Sequence, residues 1–484
     1  MKREISLVEA IIPLIFLIVL LTANVFIFDD TLGGSNQMAL LMGATIAGAI
    51  AMIRGLPWAD IEKGIVNTIK SALPSILILL LIGSLAGTWM ISGIVPAMIY
   101  YGLGIISPGM FLFTAVAVSA IVSVSTGSSW STVATIGVAL IGMGNALDIN
   151  PAISAGAIIS GAYFGDKMSP LSDTTNLAPA MAGTDIFTHI RYMFYTTIPS
   201  MIITLIIFLF IGFNTDYSNV ALNIENVQDA INDTFNTSLL LFLVPAILIT
   251  IIVMRIPALP ALMIGTLLGA AAAIIFQPHL IKEIAGAEIS FFGASYIATM
   301  KAMFGDVSLT TSDAKVNELL STSGMRGMLG TIWLILSAMV FGGTMEAAGY
   351  LKRITQPIVN AARSQGSLIA STVGTSIFFN TTTADQYIAI VVPGRMYRKV
   401  YEERGLKPEV LSRTLEDSAT MTSVLIPWNT CGATQSRVLG VATVDYLPFA
   451  FFNLISPVMT ILYGYLNIKI RKMLPGQKRE ITVN

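Results

Sequence analysis

The chain alternates between long apolar segments and short polar ones. Eight of the apolar segments have no polar interruption and approach the roughly 20 residues that a helix needs to cross a bilayer. Their apolar residues are continuous instead of alternating, which is typical of membrane-spanning helices and not of membrane β-strands. The eight predicted spans are 7–28, 38–53, 72–92, 192–213, 238–254, 260–276, 328–347 and 447–468.

Four further apolar segments carry polar residues at their centres. Ionisable groups at membrane depth are costly and usually functional. A helix can break at membrane depth where the break lines a cavity or a substrate site. The four segments and their interruptions are 109–147 with STGSSWST, 151–182 with GDKMSPLSDTTN, 367–393 with FFNTTTADQY and 409–444 with PWNTCGATQ. In the second of these, Gly165 and Pro170 predict the position of the break.

The interruptions recur at a fixed distance, since 408 − 151 and 427 − 170 both equal 257. The residues that coincide at this offset are Pro151 with Pro408, Pro170 with Pro427, Thr126 with Thr383 and Ser128 with Asp385. Paired interruptions in two repeats are the best sequence indication of a transporter's binding site. We therefore predict a first repeat at 1–213, an extracellular linker at 214–237 and a second repeat at 238–484.

The distribution of Lys and Arg predicts the topology, because cytoplasmic loops are enriched in these residues. The basic segments, predicted to lie inside, are 2–3, 54–70, 255, 352–363, 395–407 and the tail at 469–479. The loops without Lys or Arg, predicted to lie outside, are 29–37, 93–108 and 214–236. Both termini are thus predicted to be cytoplasmic.

The same charges predict two re-entrant hairpins. Both flanks of 367–393 are basic, so this segment should enter and leave on the cytoplasmic face. Its repeat partner, 109–147, should enter from the outside. Each half then has five transmembrane helices and one hairpin, and the odd number inverts the second half. The predicted fold class is an all-α polytopic membrane protein of two inverted repeats, with broken helices at mid-membrane.

Composition agrees with this class and excludes others. Of the 484 residues, 54% are hydrophobic and only 11% are charged, which excludes a soluble globular domain. The formal net charge of −1 gives no indication of the basic surface that is typical of nucleic-acid-binding proteins. Cys431 is the single cysteine, so an intrachain disulfide is impossible. The long first apolar run has no small-residue cleavage site and predicts a retained span, not a signal peptide.

The four interruptions predict a sodium site built from oxygen atoms. Na⁺ is a hard cation that suits carboxylates, hydroxyls, amides and the carbonyls of helix ends, whose partial negative charge adds to the attraction. The predicted ion-binding residues are Ser125, Thr126, Ser128, Asp173, Thr174, Thr175, Asn176, Asn380, Thr381, Thr382, Asp385, Asn429 and Thr430. By pseudo-symmetry, 125–128 should pair with the break at 172–176, and 380–382 with 429–430.

Asp173 and Asp385 carry most weight in this prediction. A carboxylate that binds a cation when ionised and a proton when the cation leaves is the simplest basis for Na⁺/H⁺ exchange. The alternative for both is a structural polar contact that holds a kinked helix.

Further charged residues in the apolar segments are candidates for proton coupling. They are Asp166, Lys167, Glu346, Asp417 and Arg437. Asp166 and Lys167 could couple protons, or form structural ion pairs with other partners, because sequence neighbours on a helix do not face each other. Glu416 and Asp417 could instead mark the solvated start of their span, since Arg413 is nearby.

The stretch GAYFGDKMSPLSDTTNLAPAMAGTDIFTHI resembles the signature of NhaC-type sodium/proton antiporters. FFNTTTADQYIAIVVPGRMY and EDSATMTSVLIPWNTCGAT are also similar to that family, and the resemblance covers nearly the whole chain. It implies the ion transporter superfamily, with inverted repeats, opposed hairpins, a homodimer, elevator-type movement, no cofactor and a bacterial or archaeal plasma membrane. Some NhaC-like proteins exchange Na⁺-lactate for malate with protons.

Two functions therefore stay open. The leading hypothesis is a secondary Na⁺/H⁺ antiporter that exports Na⁺ in exchange for protons. The alternative is a Na⁺- and H⁺-coupled carboxylate exchanger, in which Arg437 or Lys167 would attract the anion. An intramembrane aspartyl protease is disfavoured because FGDK stands where that chemistry requires GxGD, and no HExxH zinc motif is present. The chain is predicted not to be an enzyme.

Overall fold

The structure is a computed structural model, and its fold is almost entirely helical. It describes residues 5–28, 33–215, 220–286, 288–309, 317 and 321–473. The helices up to residue 214 are α1 Leu7–Ile27, α2 Ser35–Ile53, α3 Trp58–Ile91, α4 Ile94–Ile105, α5 Phe111–Thr126, α6 Ser129–Thr132, α7 Val138–Ala146, α8 Pro151–Met168, α9 Asp173–Ala182 and α10 Ile186–Asn214.

The later elements include one small antiparallel sheet, in which Val307 pairs with Thr322 and Ser308 with Ser321. Its strands are β1 Val307–Ser308 and β2 Ser321–Thr322. The helices are α11 Val220–Thr234, α12 Leu243–Val253, α13 Ala258–Phe276, α14 Pro278–Ala285, α15 Phe291–Phe304, α16 Leu329–Ala347, α17 Tyr350–Ala361, α18 Gln365–Thr383, α19 Gln386–Glu403, α20 Pro408–Leu415, α21 Met421–Ser423, α22 Thr430–Leu439, α23 Thr443–Tyr446 and α24 Phe451–Tyr465.

Short helices of other types adjoin these elements. Two are π-helices, π1 Val133–Gly137 between α6 and α7 and π2 Glu416–Thr420 between α20 and α21. The 3₁₀ helices are Pro108–Met110, Leu239–Phe242, Gly324–Met328 and Leu447–Phe449. Single π-turns inside α-helices are rare and are frequent at functional sites.

The structure confirms a polytopic helical membrane protein. Within the described ranges, seven helices are long and apolar enough to cross a membrane, or nine if each of two bent helix pairs counts as one span. The bends are 92° between α11 and α12 and 59° where α23 and its 3₁₀ turn meet α24. The hairpins, the inversion, the repeat boundaries and the topology stay predictions. Lys2, Arg3 and residues 474–479 of the basic tail lie outside the described residues.

Several predicted loops are helical. α3 begins at Trp58 instead of near residue 72, α4 occupies most of 93–108, and α11 lies in the predicted linker. Hydropathy locates the apolar part of a span, whereas a helix continues wherever its backbone groups are hydrogen-bonded within it. The charged first turns of α3, with Asp60 and Lys63, therefore extend a helix whose apolar part alone was predicted.

The backbone repeats its irregular positions at the offset of 257. Gly127 and Ala384 both adopt left-handed conformations, with φ of 70° and 56°. The next residues, Ser128 and Asp385, are both N-caps. The same offset relates further N-caps and left-handed helix ends; these are Ser172 with Asn429 and Gly183 with Gly440.

Two hydrophobic clusters form the core, and both broken helices pass from one cluster to the other. Ala162 of α8 belongs to the first cluster and Ala178 of α9 to the second. Leu415 of α20 belongs to the second cluster and Val424, which follows α21, to the first. The break at 169–172 therefore lies where the two clusters meet, whereas the second broken helix passes between them in π2, since Ala419 belongs to the second cluster and Met421 to the first.

Candidate functional site

The first break separates α8 from α9 at residues 169–172. Pro170 has no N–H to continue the helix. Ser172 caps α9 by accepting from the backbone N–H of Thr175 (3.4 Å). The Thr175 hydroxyl is 3.1 and 3.0 Å from the carbonyl oxygens of Asp166 and Lys167 in the last turn of α8. Asn176 donates to the carbonyls of Pro170 (2.9 Å) and Ser172 (2.7 Å), so the break is held by its own side chains.

Gly165 was predicted as part of this break, and that prediction is wrong. Gly165 lies within α8, where a Cβ atom would stand 2.5 Å from the backbone nitrogen of Val124 and 2.6 Å from the carbonyl oxygen of Ala120. The residue therefore allows α8 and α5 to pack closely. The break itself is formed by Pro170 and the polar residues after it.

The first tip, residues 125–129, lies directly on the first break. The backbone N–H (3.1 Å) and hydroxyl (2.6 Å) of Ser129 both donate to Oδ2 of Asp166. A Cβ atom on Gly127 would stand 2.5 Å from Cβ of Leu171, so glycine permits this approach. The structure thus brings the first tip and first break together.

A cavity of about 430 Å³ opens between the first tip and the first break. Five residues of the predicted ion site line it, together with the coupling candidate Asp166; the five are Thr126, Ser128, Asp173, Thr174 and Asn176. Asp173 is exposed to this cavity, whereas Asp166 is largely buried behind it. Gln386 and Tyr387, at the start of α19, also line the cavity. Arg255 contributes a cation that sequence reasoning did not assign to the site.

The second tip, residues 380–385, is bonded to the second break. Asn429 Nδ2 donates to the backbone carbonyl of Asn380 (3.1 Å) and to its Oδ1 (3.3 Å). The Thr430 N–H donates to the carbonyl of Ala384 (2.9 Å), and the Trp428 indole donates to that of Thr381 (2.7 Å). The predicted pairing of 380–382 with 429–430 is therefore present, but none of these residues lines the 430 Å³ cavity.

Asp385 is fully buried at the start of α19. Its Oδ1 accepts from the backbone N–H of Ile388 (2.9 Å), which makes it an N-cap. Among the described residues, its Oδ2 has no hydrogen-bond partner. The carboxylate therefore keeps one oxygen available while the other holds the helix.

Three predicted ligands direct their hydroxyls into their own helices. Ser125 donates to the carbonyl of Ile121 (2.8 Å), Thr381 to that of Ile377 (2.9 Å) and Thr382 to that of Phe378 (2.8 Å). Each of these hydroxyls retains lone pairs, but its hydrogen is already used.

Lys167 and Asp417 form an ion pair, and both side chains are fully buried. Ser456 donates to Oδ1 of Asp417 (3.1 Å), while Thr196 (2.9 Å) and Thr460 (2.5 Å) donate to Oδ2. The structure thus separates Lys167 from Asp166 and favours the structural alternative for Lys167. Buried charges need such complete pairing.

The alternative that Glu416 and Asp417 mark a solvated helix start is wrong. Glu416, Asp417 and Arg413 are all fully buried. Thr174 donates to Oε1 of Glu416 (3.0 Å), which joins the first break to π2. Sequence reasoning missed Glu416 because the charge-rich run around it is typical of a surface, and only the packing of distant helices shows otherwise.

Two coupling candidates lie away from the cavity between the first tip and break. Glu346 lines a separate cavity of about 480 Å³ with Asp60 and Lys63. Arg437 lines another of about 610 Å³ with Asp306. Neither cationic candidate for an anion, Arg437 or Lys167, lines the 430 Å³ cavity, because Arg437 lies near the far end of α22 and Lys167 is enclosed with Asp417.

The site offers chiefly oxygen atoms: the carboxylates of Asp166 and Asp173, the hydroxyls of Thr126, Ser128 and Thr174, and the amide of Asn176. Carboxylates, hydroxyls and carbonyls are the ligands that hard cations prefer. The arrangement can therefore hold a small hard cation or, with Arg255, a small anion beside it.

A model of the Na⁺/H⁺ antiporter family matches residues 161–468, which include the first break, the second tip and the second break. The chain belongs to the Na⁺/H⁺ antiporter family. It is 38% identical to the Na⁺/H⁺ antiporter NhaC of Alkalihalophilus pseudofirmus over 90% of this chain and 91% of that protein. It is 37% identical to NhaC of Bacillus subtilis, with 89% and 92% covered.

A relative with a different cargo matches nearly as well. The malate-2H⁺/Na⁺-lactate antiporter of Bacillus subtilis is 36% identical over 95% of this chain and 94% of that protein. Membership of the Na⁺/H⁺ antiporter family, together with the apolar helices, establishes a multi-pass membrane transporter. The resemblance stated from the sequence is thereby confirmed.

Proposed function

We propose that this protein is a secondary Na⁺/H⁺ antiporter that exports Na⁺ in exchange for protons. The observation that carries the proposal is the cavity in which Asp173 is exposed and Asp166 lies behind, among hydroxyls and an amide from the first tip and break. Na⁺ binds to these oxygens in the ionised state of the acids, and protons bind in its absence. The family and the two NhaC relatives support this exchange.

The movement proposed for the exchange is of elevator type. Hydrogen bonds fasten the breaks and tips to one another, through Ser129 to Asp166, Thr174 to Glu416 and Asn429 to Asn380. The Lys167–Asp417 ion pair adds a buried link between α8 and π2. These links support a single body that carries the site across the membrane. The offset of 257 supports two inverted repeats, and the homodimer is proposed from the resemblance to the family alone.

A carboxylate exchanger remains the second candidate, because the 430 Å³ cavity is larger than one ion requires and carries Arg255. The malate-2H⁺/Na⁺-lactate relative supports it. In this alternative, Arg255 attracts the carboxylate of a small C3 or C4 acid while Na⁺ binds at Asp173.

Flux measurements on proteoliposomes separate the two functions. Vesicles are made acidic inside, and a pH-sensitive dye reports the loss of the gradient when Na⁺ is added outside, with choline chloride as the matched control. We expect Na⁺ to dissipate the gradient without any organic acid. The assay is then repeated with lactate and malate on opposite sides. Proton flux only when these acids are present would overturn Na⁺/H⁺ antiport in favour of carboxylate exchange.

A further inference from the structure

The cavity that Arg437 lines is separate from the one that Asp173 lines. Its volume is about 610 Å³, and no described residue lines both cavities. Cavities of this size bind small organic molecules in many proteins. Val95 and Ile99, from a segment predicted to lie outside, line the 610 Å³ cavity, whereas Arg255, predicted to lie inside, lines the other. By the predicted topology, the two cavities therefore lie toward opposite faces of the membrane.

Much of the lining of the 610 Å³ cavity is apolar. The apolar side chains come from α3, α4 and α7; they are Ile82, Ala86, Met90, Val95, Ile99, Val138 and Ile141. Covering apolar surface with an apolar ligand removes it from water, which is favourable. This lining therefore favours a ligand with an apolar part.

Arg437 is the one cation among the described residues that line this cavity. Its side chain is exposed, and none of the ion pairs among the described residues includes it. A Cβ atom on Gly327 would clash with Nη2 of Arg437, so glycine at this position makes room for the guanidinium. The positive charge is therefore available to a ligand.

Asp306 is the one acid among the described lining residues, and it has its own partner. Its carboxylate is 3.7 Å from Nη1 of Arg326, which does not line the cavity. Asp306 therefore leaves Arg437 unpaired, and its negative charge disfavours a second negative charge on a ligand. Together, the two residues suit an anion that carries a single charge.

We propose that this cavity binds a small organic monoanion. Its carboxylate or sulfonate group pairs with Arg437, and its apolar chain covers the lining from α3, α4 and α7. Arginine binds carboxylates through two parallel N–H···O bonds, and the three oxygens of a sulfonate offer the same geometry. The proposal stands whether or not the protein exchanges Na⁺ for protons, because no described residue of the Na⁺ cavity contributes to this site.

Isothermal titration calorimetry of the purified full-length protein in detergent tests the site. The probe is pentanesulfonate, which keeps its charge over the working pH range. We expect saturable binding to one site per chain. Affinity should rise roughly fourfold for each CH₂ group added from ethanesulfonate to pentanesulfonate, because the cavity buries the chain. The pentylammonium ion, which carries the opposite charge, should not bind.

Three variants assign the binding to this cavity. Arg437→Gln should weaken the binding of pentanesulfonate by tenfold or more, and Ala86→Phe, which fills part of the cavity, should remove the dependence on chain length. Lys301→Gln is the matched control, because Lys301 lies in the last turn of α15 outside the cavity lining and loses the same charge. It should bind as the wild type does. Thermal unfolding midpoints show that each variant is folded.

Three results would overturn the inference. The first is a wild-type protein without saturable binding of pentanesulfonate. The second is equal binding by Arg437→Gln and the wild type. The third is an equal loss in Arg437→Gln and Lys301→Gln, which would show an effect of net charge and not of a site at Arg437.

Discussion

Lys167 and Asp417 form a buried ion pair that joins the last turn of α8 to π2, although 250 positions separate them in the chain. Removal of one partner from a buried pair leaves an uncompensated charge and typically costs about 3–5 kcal/mol. Replacement of both by apolar residues of similar volume is often neutral.

We therefore expect Lys167→Met and Asp417→Leu each to lower the midpoint of thermal unfolding in detergent, and the double variant to regain much of the loss. The three hydroxyls that donate to Asp417 still stabilise its charge when Lys167 is replaced, so Lys167→Met should be the milder of the two single changes. If the double variant loses as much stability as the two single variants together, the pair has no net interaction.

Gly127 and Ala384, the two left-handed residues at the tips, should respond in opposite ways to substitution. Gly127→Ala places a Cβ atom 2.5 Å from Cβ of Leu171 in a backbone conformation that disfavours side chains. We expect it to destabilise the protein by roughly 2–5 kcal/mol and to reduce transport.

Ala384→Gly is the counterpart, because Ala384 already bears a side chain at φ 56°. Glycine relieves this strain, partly offset by the chain entropy it adds, so stabilisation of up to about 1 kcal/mol is expected. Thermal unfolding of both variants in the same detergent gives the comparison. Tolerance of alanine at 127 would show that the first tip does not pack on the first break as described.

Substitution of Asp385 by asparagine separates the effect of its charge from its contribution as a helix N-cap. Asn is as good an N-cap as Asp, so Asp385→Asn should keep the bond to Ile388 and leave thermal stability nearly unchanged. If the buried Oδ2 takes part in ion or proton binding, exchange should be abolished in the same variant. Normal exchange by a stable Asp385→Asn protein would remove this acid from the site and leave it a capping residue.

The sequence predicted the breaks well, because they are marked by residues that a continuous apolar helix excludes. Pro170, Asp173 and Asn176 are polar or lack an N–H, and the structure breaks the helix at 169–172. The offset of 257 predicted which positions correspond, and the left-handed Gly127 and Ala384 have this spacing. Local chemistry sufficed in each of these cases.

What the sequence could not predict depends on contacts between distant segments. The partner of Lys167 is 250 positions away, and the burial of Glu416 depends on helices packed around π2. Gly165 was assigned to the break, whereas its function is to permit contact with α5. Arg255 lines the cavity. Because it lies between two predicted spans, the sequence predicted only that it lies on the cytoplasmic side.

Equilibrium binding of ²²Na⁺ to the purified protein tests whether Na⁺ binds at Asp173. Asp185→Asn is the matched control, because Asp185 caps α10 outside the span and hydrogen bonds from Thr188 lower its pKa, so the same charge is removed. We predict saturable binding by the wild type and by Asp185→Asn, weakening as pH falls, and none by Asp173→Asn. Wild-type binding by Asp173→Asn would contradict the claim.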